Sequence, residues 1–295
     1  MQTETNVELD LSGSLADDDA GELLGQVLVE LGKLDSYDVE RIVQYARDKR
    51  LRFGEAAKKL KLLTQRDIDN ALARQFDYPV LDEGAGGLSD ELVTAFRPFS
   101  TKSKAITGVR SKLLRFWSTD ARKSLALMGA HKKDGCSYLA ANLAVVFSQL
   151  GHRTLLVDAD LQAGRQHEIF NIGNKVGLSA ALVGRASLGS VVHELPLFRG
   201  LSLLPAGALP PNSSELLERP ELFEFVEQLC GQFQVVLFDT PPASANGGTE
   251  FAAGACGNAI AVVRKNRTRM SDAKALLDNA ESAGANIVGS VMTDF

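Results

Sequence analysis

The sequence has few cysteines and no long apolar run, and each shortage excludes a class of protein. The three cysteines, Cys136, Cys230 and Cys256, are far apart and form no C-x-x-C pair. This excludes a disulfide framework and a zinc site and fits a reducing cytosol. No apolar run approaches the roughly 18 residues of a membrane-spanning helix. The N-terminus is acidic where a signal peptide is basic, so we expect a cytoplasmic protein without a signal peptide.

An excess of positive charge is also missing. The net charge over 295 residues is −5, so the chain as a whole has no attraction to nucleic acid, and we expect no nucleic-acid partner. The length predicts about two domains at roughly 150 residues each. Residues 1–22 contain seven acids and no Lys or Arg, which predicts an acidic, disordered tail.

A sequence repeat follows the acidic segment. The stretch "LGQVLVELGKLDSYDVERIV" from Leu24 matches "FGEAAKKLKLLTQRDIDNAL" from Phe53, 29 residues further on. Each copy predicts a helix, a turn that ends in an N-cap residue (Asp35 or Thr64) and a second helix. Because two such hairpins can bury one shared core, we predict an all-α repeat module at residues 23–83 that docks on other proteins.

The segment 84–118 has weaker periodicity and predicts a linker that ends in a basic helix, "TGVRSKLLRFW". Residues 102–123 contain seven basic residues and one acid, with Phe116 and Trp117 among them. One interpretation is a surface for acidic lipid or an acidic partner. The other is a solvated linker helix whose aromatic side chains dock on the next domain.

Strands and helices alternate over residues 119–295. The predicted strands are "SLALMGA", "TLLVDAD", "LSLLPAG", "VVLFDTPP", "NAIAVV" and "NIVGSVM". Helices are predicted at residues 138–150, at about 214–230 and at about 270–283. This order predicts an α/β fold with a doubly wound, mostly parallel sheet. Ligands in that architecture bind at the carboxyl ends of the strands.

The first strand leads into a turn, "GAHKKDGCS", with the outline of a phosphate-binding loop. In the usual G-x-x-x-x-G-K-[ST] motif, the lysine contacts the outer phosphates and the hydroxyl binds Mg²⁺. Gly135 takes the last glycine position and Ser137 the hydroxyl position, but Cys136 replaces the lysine. A plain strand-to-helix turn is the alternative. The predicted nucleotide contacts are Lys132, Lys133, Asp134, Gly135, Cys136, Ser137 and Tyr138.

Three carboxylates follow two other predicted strands at the same edge of the sheet. Asp158 and Asp160 end one strand with their side chains on one side, and Asp239 ends another. Such carboxylates can hold Mg²⁺ or take a proton, and they repel each other unless a cation lies among them. The alternative is that the first two cap the following segment and that the third begins a turn. The joint pattern favours a nucleotide site.

Over residues 119–295 the chain resembles the P-loop domain of bacterial tyrosine kinases (BY-kinases), in particular the chain-length-determinant-associated kinases of exopolysaccharide biosynthesis of the EpsG type. The resemblance lies in "LALMGAHKKDGCSYLAANLA", "LLVDADLQAGRQHEIF", "LLPAGALPPNSSELLERPEL" and "VVLFDTPPAS". It implies an ATP- and Mg²⁺-dependent protein-tyrosine kinase recruited to the inner face of the membrane by a chain-length-determinant protein. It also implies that Asp158, Asp160 and Asp239 are catalytic, and that Ser137, Asp158 and Asp239 hold the metal.

The loop departs from the family pattern in ways that predict weak or absent activity. Cys136 removes a charged contact to the transferring phosphate, a loss that costs on the order of 3 kcal/mol in the transition state. Lys132 or Lys133 is an alternative source of that charge. Lys133 also stands where the family has a glycine. Either Cys136 alone weakens the loop, or a side chain at a site that needs positive φ has also bent the turn away from the phosphate-binding course. Gln162 and Gly164 replace the family's Arg and Pro.

Two further departures concern assembly and regulation. The sequence ends in "VMTDF" without a tyrosine cluster, so we expect no tail autophosphorylation. The segment "KAITGVRSKLL" keeps only Arg110 of the family's E-x-x-R-x-x-R oligomerisation motif, which weakens the expectation of a homo-oligomer.

The segment Arg52–Gln75 resembles the R-L-G-x-x-L…L-x-x-Q repeat at the head of type II secretion ATPases, some of which bind cyclic di-GMP. The first copy of the repeat lacks the arginine, and Ala57 replaces a leucine in the second. Three functions therefore stay open: a weakened tyrosine kinase or ATPase that regulates polymer length or export, a catalytically silent adaptor of the polysaccharide assembly complex, and a cyclic di-GMP-responsive regulator.

Overall fold

The computed structural model describes residues 16–75, 78–117, 123–245 and 248–294, with side chains from residue 23 onward. The chain divides into two compact units after Val80, close to the predicted end of the helical module. In the described ranges no helix combines the length and apolarity that crossing a bilayer requires.

The described part of the first unit is all helical, as the sequence predicts. Its helices are α1 (Ala16–Glu30), α2 (Ser36–Lys49), α3 (Phe53–Lys59) and α4 (Gln65–Gln75). Both predicted N-caps are present. The Asp38 N–H donates to Asp35 Oδ1 at 2.8 Å, and Thr64 forms a reciprocal cap, because Asp67 N–H donates to Thr64 Oγ1 and Thr64 N–H donates to Asp67 Oδ2.

The two hairpins share one core, in which α1 packs on α4 and α2 on α3. The buried side chains of this core are Leu24, Leu28, Leu34, Ile42, Phe53, Ala56, Ala57, Leu63, Ile68 and Ala71. The predicted disordered tail is wrong from Ala16 onward, because α1 begins there. Acidic residues are favourable in the first turn, where the helix dipole is positive. Residues 1–15 lie outside the described residues.

The second unit is built on a seven-stranded sheet in the order β3-β4-β2-β5-β1-β6-β7. The strands are β1 (Ser124–Gly129), β2 (Thr154–Asp158), β3 (His193–Glu194), β4 (Leu201–Leu204), β5 (Val235–Asp239), β6 (Asn258–Arg264) and β7 (Asn286–Thr293). All pairings are parallel except that of β3 with β4. The predicted mostly parallel sheet is confirmed.

Helices cover both faces of this sheet. They are α5 (Val93–Phe96), α6 (Thr101–Phe116), α7 (Cys136–Gln149), α8 (Gln166–Ile169), α9 (Leu178–Leu182), α10 (Leu188–Val191), α11 (Ser213–Leu217), α12 (Glu221–Gln232), α13 (Thr249–Cys256) and α14 (Met270–Ser282). Leu125 and Leu127 of β1 face the core that contains α7, whereas Ala126 and Met128 face the core under α12, α13 and α14. This alternation follows from the two-residue period of a strand.

The basic helix α6 is longer than the sequence predicts and begins at Thr101. Ser100 is its N-cap, because the Ser103 N–H donates to the Ser100 hydroxyl at 3.2 Å. This serine lies before the first residue of the predicted helix. Trp117 is buried, and its ring centroid lies 5.9 Å from that of Phe147 in α7. The predicted linker at 84–118 therefore packs within the second unit over its described residues. Docking of the aromatic residues is confirmed for Trp117.

The helix predicted at about 214–230 is two helices, α11 and α12. Pro220 lies between them, and a proline lacks the N–H that a continuous helix needs at that position. The helix of the phosphate-loop pattern, α7, begins at Cys136, two residues before the predicted start.

Candidate functional site

The loop between β1 and α7 keeps the left-handed turn that a phosphate-binding course needs. Lys133 has a φ of 70° and Gly135 a φ of 105°. A lysine in that conformation costs roughly 1–2 kcal/mol relative to a right-handed one. A side chain at position 133 therefore does not forbid positive φ, which contradicts the reason given for the alternative that Lys133 bends the turn.

Asp134 fastens this loop to the neighbouring strand ends. Its buried carboxylate accepts the His131 N–H at 2.9 Å and the Thr268 hydroxyl at 3.1 Å. Its backbone carbonyl accepts the Thr293 hydroxyl at 2.7 Å, at the end of β7. Asp134 is one of the predicted nucleotide contacts. In the structure its carboxylate and carbonyl oxygens instead form hydrogen bonds that stabilise the loop.

The loop opens on a cavity of about 510 Å³, a size that suits a small-molecule ligand. The predicted nucleotide contacts from Lys132 to Tyr138 all line it, and so does Asp160. The other residues of the lining are Glu91, His131, Ala163, Arg165, Thr240, Pro242 and Arg264. Three of these, His131, Thr240 and Pro242, lie in the loop and strand-end stretches that the sequence predicts at this edge. No motif position marks the other four.

Cys136 turns its thiol away from solvent. A Cβ built on Gly129 of β1 would lie 2.7 Å from the Cys136 Sγ atom, so the sulfur rests against the end of that strand. Burial raises the pKa of the Cys136 thiol well above its usual value, and the charges of Asp239 and Asp134 raise it further. Two carboxylates therefore surround a position where the usual motif has a cation.

Asp158 and Asp239 lie side by side at the carboxyl ends of β2 and β5, where the register pairs their Cα atoms. Both side chains are buried. Gln166 holds them: its backbone N–H donates to Asp158 Oδ2 at 2.9 Å, and its side-chain Nε2 donates to Asp239 Oδ2 at 2.8 Å. The same Nε2 donates to the Ser137 carbonyl at 3.0 Å, so Gln166 ties the carboxylates to the start of α7.

Neither carboxylate is fully compensated. The Oδ1 atoms of Asp158 and Asp239 are buried and accept no hydrogen bond from the residues that the structure describes. Burial raises the pKa of Asp158, and the charge of Asp239 raises it further. Burial also raises the pKa of Asp239 to about 6, against the lowering effect of hydrogen bonds with Gln166 and Ser137. Two buried carboxylates on neighbouring strand ends favour a shared proton or a bound cation.

Asp160 does not join the buried pair. Its carboxylate accepts the backbone N–H groups of Gln162 at 3.2 Å and Ala163 at 2.9 Å, so it caps the turn after β2. β2 ends at Asp158, so strand alternation does not determine the direction of the Asp160 side chain. Across the ranges given above, no group of three or more His, Cys, Asp or Glu side chains is placed to hold a metal.

The remaining donors still suit Mg²⁺. This ion binds one or two carboxylates and keeps several waters, so it does not require three acidic side chains. The donor set is the Ser137 hydroxyl, which interacts with Asp239, and the two uncompensated carboxylate oxygens of Asp158 and Asp239. The chemistry of these atoms and their unsatisfied state both fit a small divalent cation.

Gly164 supports the carboxylate pair by leaving room for it. A Cβ at this position would lie 2.7 Å from both carboxylate oxygens of Asp158 and from the Asp160 carbonyl. We expect Gly164→Ala to displace Asp158 and to lower the free energy of unfolding by about 1–3 kcal/mol. Urea unfolding measures the change. Gly173→Ala is the control, because a Cβ added there would meet no packed atom of the described residues within 4 Å. Equal stability of the two variants would contradict this role of Gly164.

The segment Arg52–Gln75 forms α3, the reciprocal cap at Thr64 and α4. Phe53 and Ala57 of this segment are buried in the core of the first unit. A cavity of about 680 Å³ in that unit is lined by residues 26–48, outside the segment. The cyclic di-GMP site stays a prediction.

Comparison with known proteins matches this chain to a cellulose biosynthesis family and to bacterial tyrosine kinases. The family model described as cellulose biosynthesis protein BcsQ matches residues 122–279. The putative tyrosine-protein kinase CapB of Staphylococcus aureus is 30% identical over 199 residues, which cover 66% of this chain and 86% of CapB. A putative tyrosine-protein kinase in the cps region of Klebsiella pneumoniae is 31% identical over 68% of this chain, but the match spans only 28% of that longer protein.

The solved structures extend this similarity to the fold. The crystal structure of the chimerical protein CapA2B2 superposes with a TM-score of 0.64 at 27% identity. The superposition covers 77% of this chain and 98% of that one.

Proposed function

Because the chain belongs to the bacterial tyrosine kinase (BY-kinase) family of P-loop proteins, we propose that it is a cytoplasmic protein of exopolysaccharide biosynthesis with a degenerate nucleotide loop. It binds ATP and Mg²⁺ weakly, transfers phosphate to tyrosine slowly, and regulates the length or export of the polymer. The description of the matching family as a cellulose biosynthesis protein supports the link to polysaccharide.

The observation that carries this proposal is the buried carboxylate pair that Gln166 links to the start of α7. Asp158, Asp239 and the Ser137 hydroxyl would hold Mg²⁺, which when bound neutralises charge on the phosphates of the nucleotide. Asp160 lines the cavity, so its carboxylate is the one placed to accept a proton from a substrate hydroxyl. The start of α7 supplies backbone N–H groups that have no partner within the helix.

The proposed partner is a membrane chain-length-determinant protein that recruits this chain to the inner face of the membrane. Support comes from the name of the Klebsiella relative, which places it in a cps region. That relative is more than three times longer than the matched part, since the match covers 28% of it.

A catalytically silent adaptor is the second candidate. The specific observation that favours it is the buried thiol of Cys136, which occupies the lysine position and brings no charge to the cavity. Under this hypothesis the cavity keeps its shape and no cation compensates the carboxylate pair.

Titration of the full chain with ATP by calorimetry, with and without Mg²⁺, separates these two candidates. We expect a Kd on the order of 0.1–1 mM that depends on Mg²⁺. Asp158→Asn should remove the dependence on Mg²⁺, whereas Asp278→Asn, at an exposed site on α14, should not. Absence of binding at millimolar ATP favours the adaptor, and nanomolar affinity contradicts a degenerate loop.

A further inference from the structure

An arginine and a glutamate face each other inside the nucleotide cavity. Arg165 Nη1 lies 3.1 Å from Glu91 Oε2, and Arg165 Nη2 lies 2.5 Å from Glu91 Oε1, which makes a two-pronged ion pair. Both side chains line the same cavity as the loop from Lys132 to Tyr138. Glu91 lies outside the stretches that carry the family resemblance, and Arg165 lies inside one of them, "LLVDADLQAGRQHEIF", at a position with no assigned role.

Arg165 is fixed at the edge of the site that carries the carboxylate pair. It directly precedes Gln166, whose backbone and side chain bind Asp158 and Asp239. Movement of the Arg165 backbone would therefore disturb the pair, but its long side chain can rotate. The charge of Asp239 acts on Arg165 as well, so the guanidinium lies within electrostatic reach of the pair.

The backbone of Glu91 is held by α7. Its backbone carbonyl accepts a hydrogen bond from Asn142 Nδ2 at 2.8 Å. Asn142 Oδ1 in turn accepts the Thr94 N–H at 3.0 Å. The segment before α5 is thereby attached to the helix that begins at the phosphate-binding turn. A carboxylate in this place repels the phosphates of any nucleotide that enters.

The ion pair is weak enough to exchange. The side chains of Arg165 and Glu91 are 40% and 39% exposed, and such partly solvated ion pairs contribute little to stability. A guanidinium binds a phosphate with the same planar, two-pronged geometry that it uses for a carboxylate. The free energy needed for the Arg165 guanidinium to exchange the Glu91 carboxylate for a phosphate group is therefore small.

We propose that Arg165 is a phosphate-binding residue of the cavity, that Glu91 holds it while no nucleotide is bound, and that it supplies the positive charge missing at Cys136. This inference rests on the proposed function, because it assumes that the cavity takes a nucleotide. Arg165 thus takes the place of Lys132 and Lys133, which the sequence suggests as sources of that charge.

The other cations of the cavity are less suited to this role. Lys132 and Lys133 are exposed, so ordering either side chain on a phosphate costs conformational entropy. Arg264 Nη1 donates to the Lys133 carbonyl at 3.2 Å and so supports the loop. Arg165 already lies in the cavity with its guanidinium held.

Three variants of the full chain test the proposal, with Mg²⁺ and ATP as the probe and calorimetry as the measurement. Glu91→Gln removes the competing carboxylate and is expected to tighten ATP binding about threefold to tenfold. Arg165→Gln is expected to weaken it about tenfold. In the double variant the gain from Glu91→Gln should fall below about twofold, since the two residues act as one unit.

The controls separate a phosphate contact from a structural effect. Glu83→Gln breaks an ion pair with Arg97 (2.9 Å) whose residues do not line the cavity, and it should leave the affinity for ATP unchanged. Binding of adenosine should not respond to Arg165→Gln, because adenosine has no phosphate. Arg165→Lys should recover part of the affinity. Circular dichroism establishes that each variant is folded.

The outcomes distinguish the inference from the function on which it rests. If the unchanged protein binds ATP and Arg165→Gln binds it equally well, the proposed role of Arg165 is wrong and the nucleotide site stands. If neither the unchanged protein nor Glu91→Gln binds ATP, the proposed function fails and the inference fails with it. Equal gains from Glu91→Gln with and without Arg165 would show that Glu91 acts only by repulsion.

Discussion

Replacing Cys136 by lysine is expected to tighten ATP binding at least about tenfold, which corresponds to about 1.4 kcal/mol. The electrostatic surroundings favour this change, because Asp239 and Asp134 both act on position 136 and raise the pKa of the thiol there. A lysine ammonium at this position would be attracted by both carboxylates, whereas the neutral thiol is not. It also adds a charged donor for the outer phosphates.

The shape of the loop should not prevent this gain. Lys133 already has the left-handed φ of 70°, so the turn does not need a glycine to reach that conformation. We therefore expect the single variant Cys136→Lys to suffice, and Lys133→Gly to add little to it. The side chain at 136 must leave its contact with Gly129 of β1, a movement that a long, flexible lysine permits.

Measured ATP affinity and the rate of phosphate release test this prediction. Cys136→Met is the matched control, because it has similar length and no charge. Turnover should rise with Cys136→Lys and fall again when Asp158→Asn is added, since Asp158 belongs to the proposed metal site. A lysine variant that binds ATP no better than the methionine variant would show that the missing charge does not limit binding, and would favour the adaptor.

Much of this site could be predicted because strand ends determine it. In a parallel sheet, residues that follow neighbouring strands meet at one edge, and Asp158, Asp239 and the loop before α7 do so. The apolar strands and the reciprocal cap at Thr64 also follow from local patterns in the sequence. These features depend on a few consecutive residues.

The parts that could not be predicted depend on residues far apart in the chain. Glu91 and Arg165 are separated by 74 positions, and Gln166 reaches across 73 positions to Asp239. No periodicity or motif marks such pairs. The contacts of Asp160 could not be predicted for a different reason. The strand ends two residues earlier, and the Asp160 carboxylate caps the turn that follows.

The second large effect concerns the carboxylate pair and pH. Burial raises the pKa of Asp239 from 3.8 to about 6. The folded protein therefore binds this proton more tightly than the unfolded chain does. The stability that comes from the protonated carboxyl is present in full below the unfolded value and is lost as the pH rises through about 6. Above that pH the loss amounts to about 3 kcal/mol at most.

Asp239→Asn should remove this loss, because the amide carries no charge and still offers an oxygen to the Gln166 Nε2 atom. We expect the variant to be more stable than the unchanged protein by about 2–3 kcal/mol at pH 8 without divalent cations. The advantage should shrink as the pH falls from about 6 toward 4. Removing the charge next to Asp158 should also lower the pKa of that residue, since Asp239 is one cause of its rise.

Urea unfolding at pH 8 and at pH 4.5, with EDTA present, measures this difference, and Asp278→Asn on the exposed face of α14 is the control. Adding Mg²⁺ at pH 8 should stabilise the unchanged protein and not Asp239→Asn, because the metal compensates a charge that the variant lacks. An equal difference between the two proteins at both pH values would mean that the buried pair does not titrate in this range. It would also remove the electrostatic reason for a cation between Asp158 and Asp239, so the proposed metal site depends directly on this result.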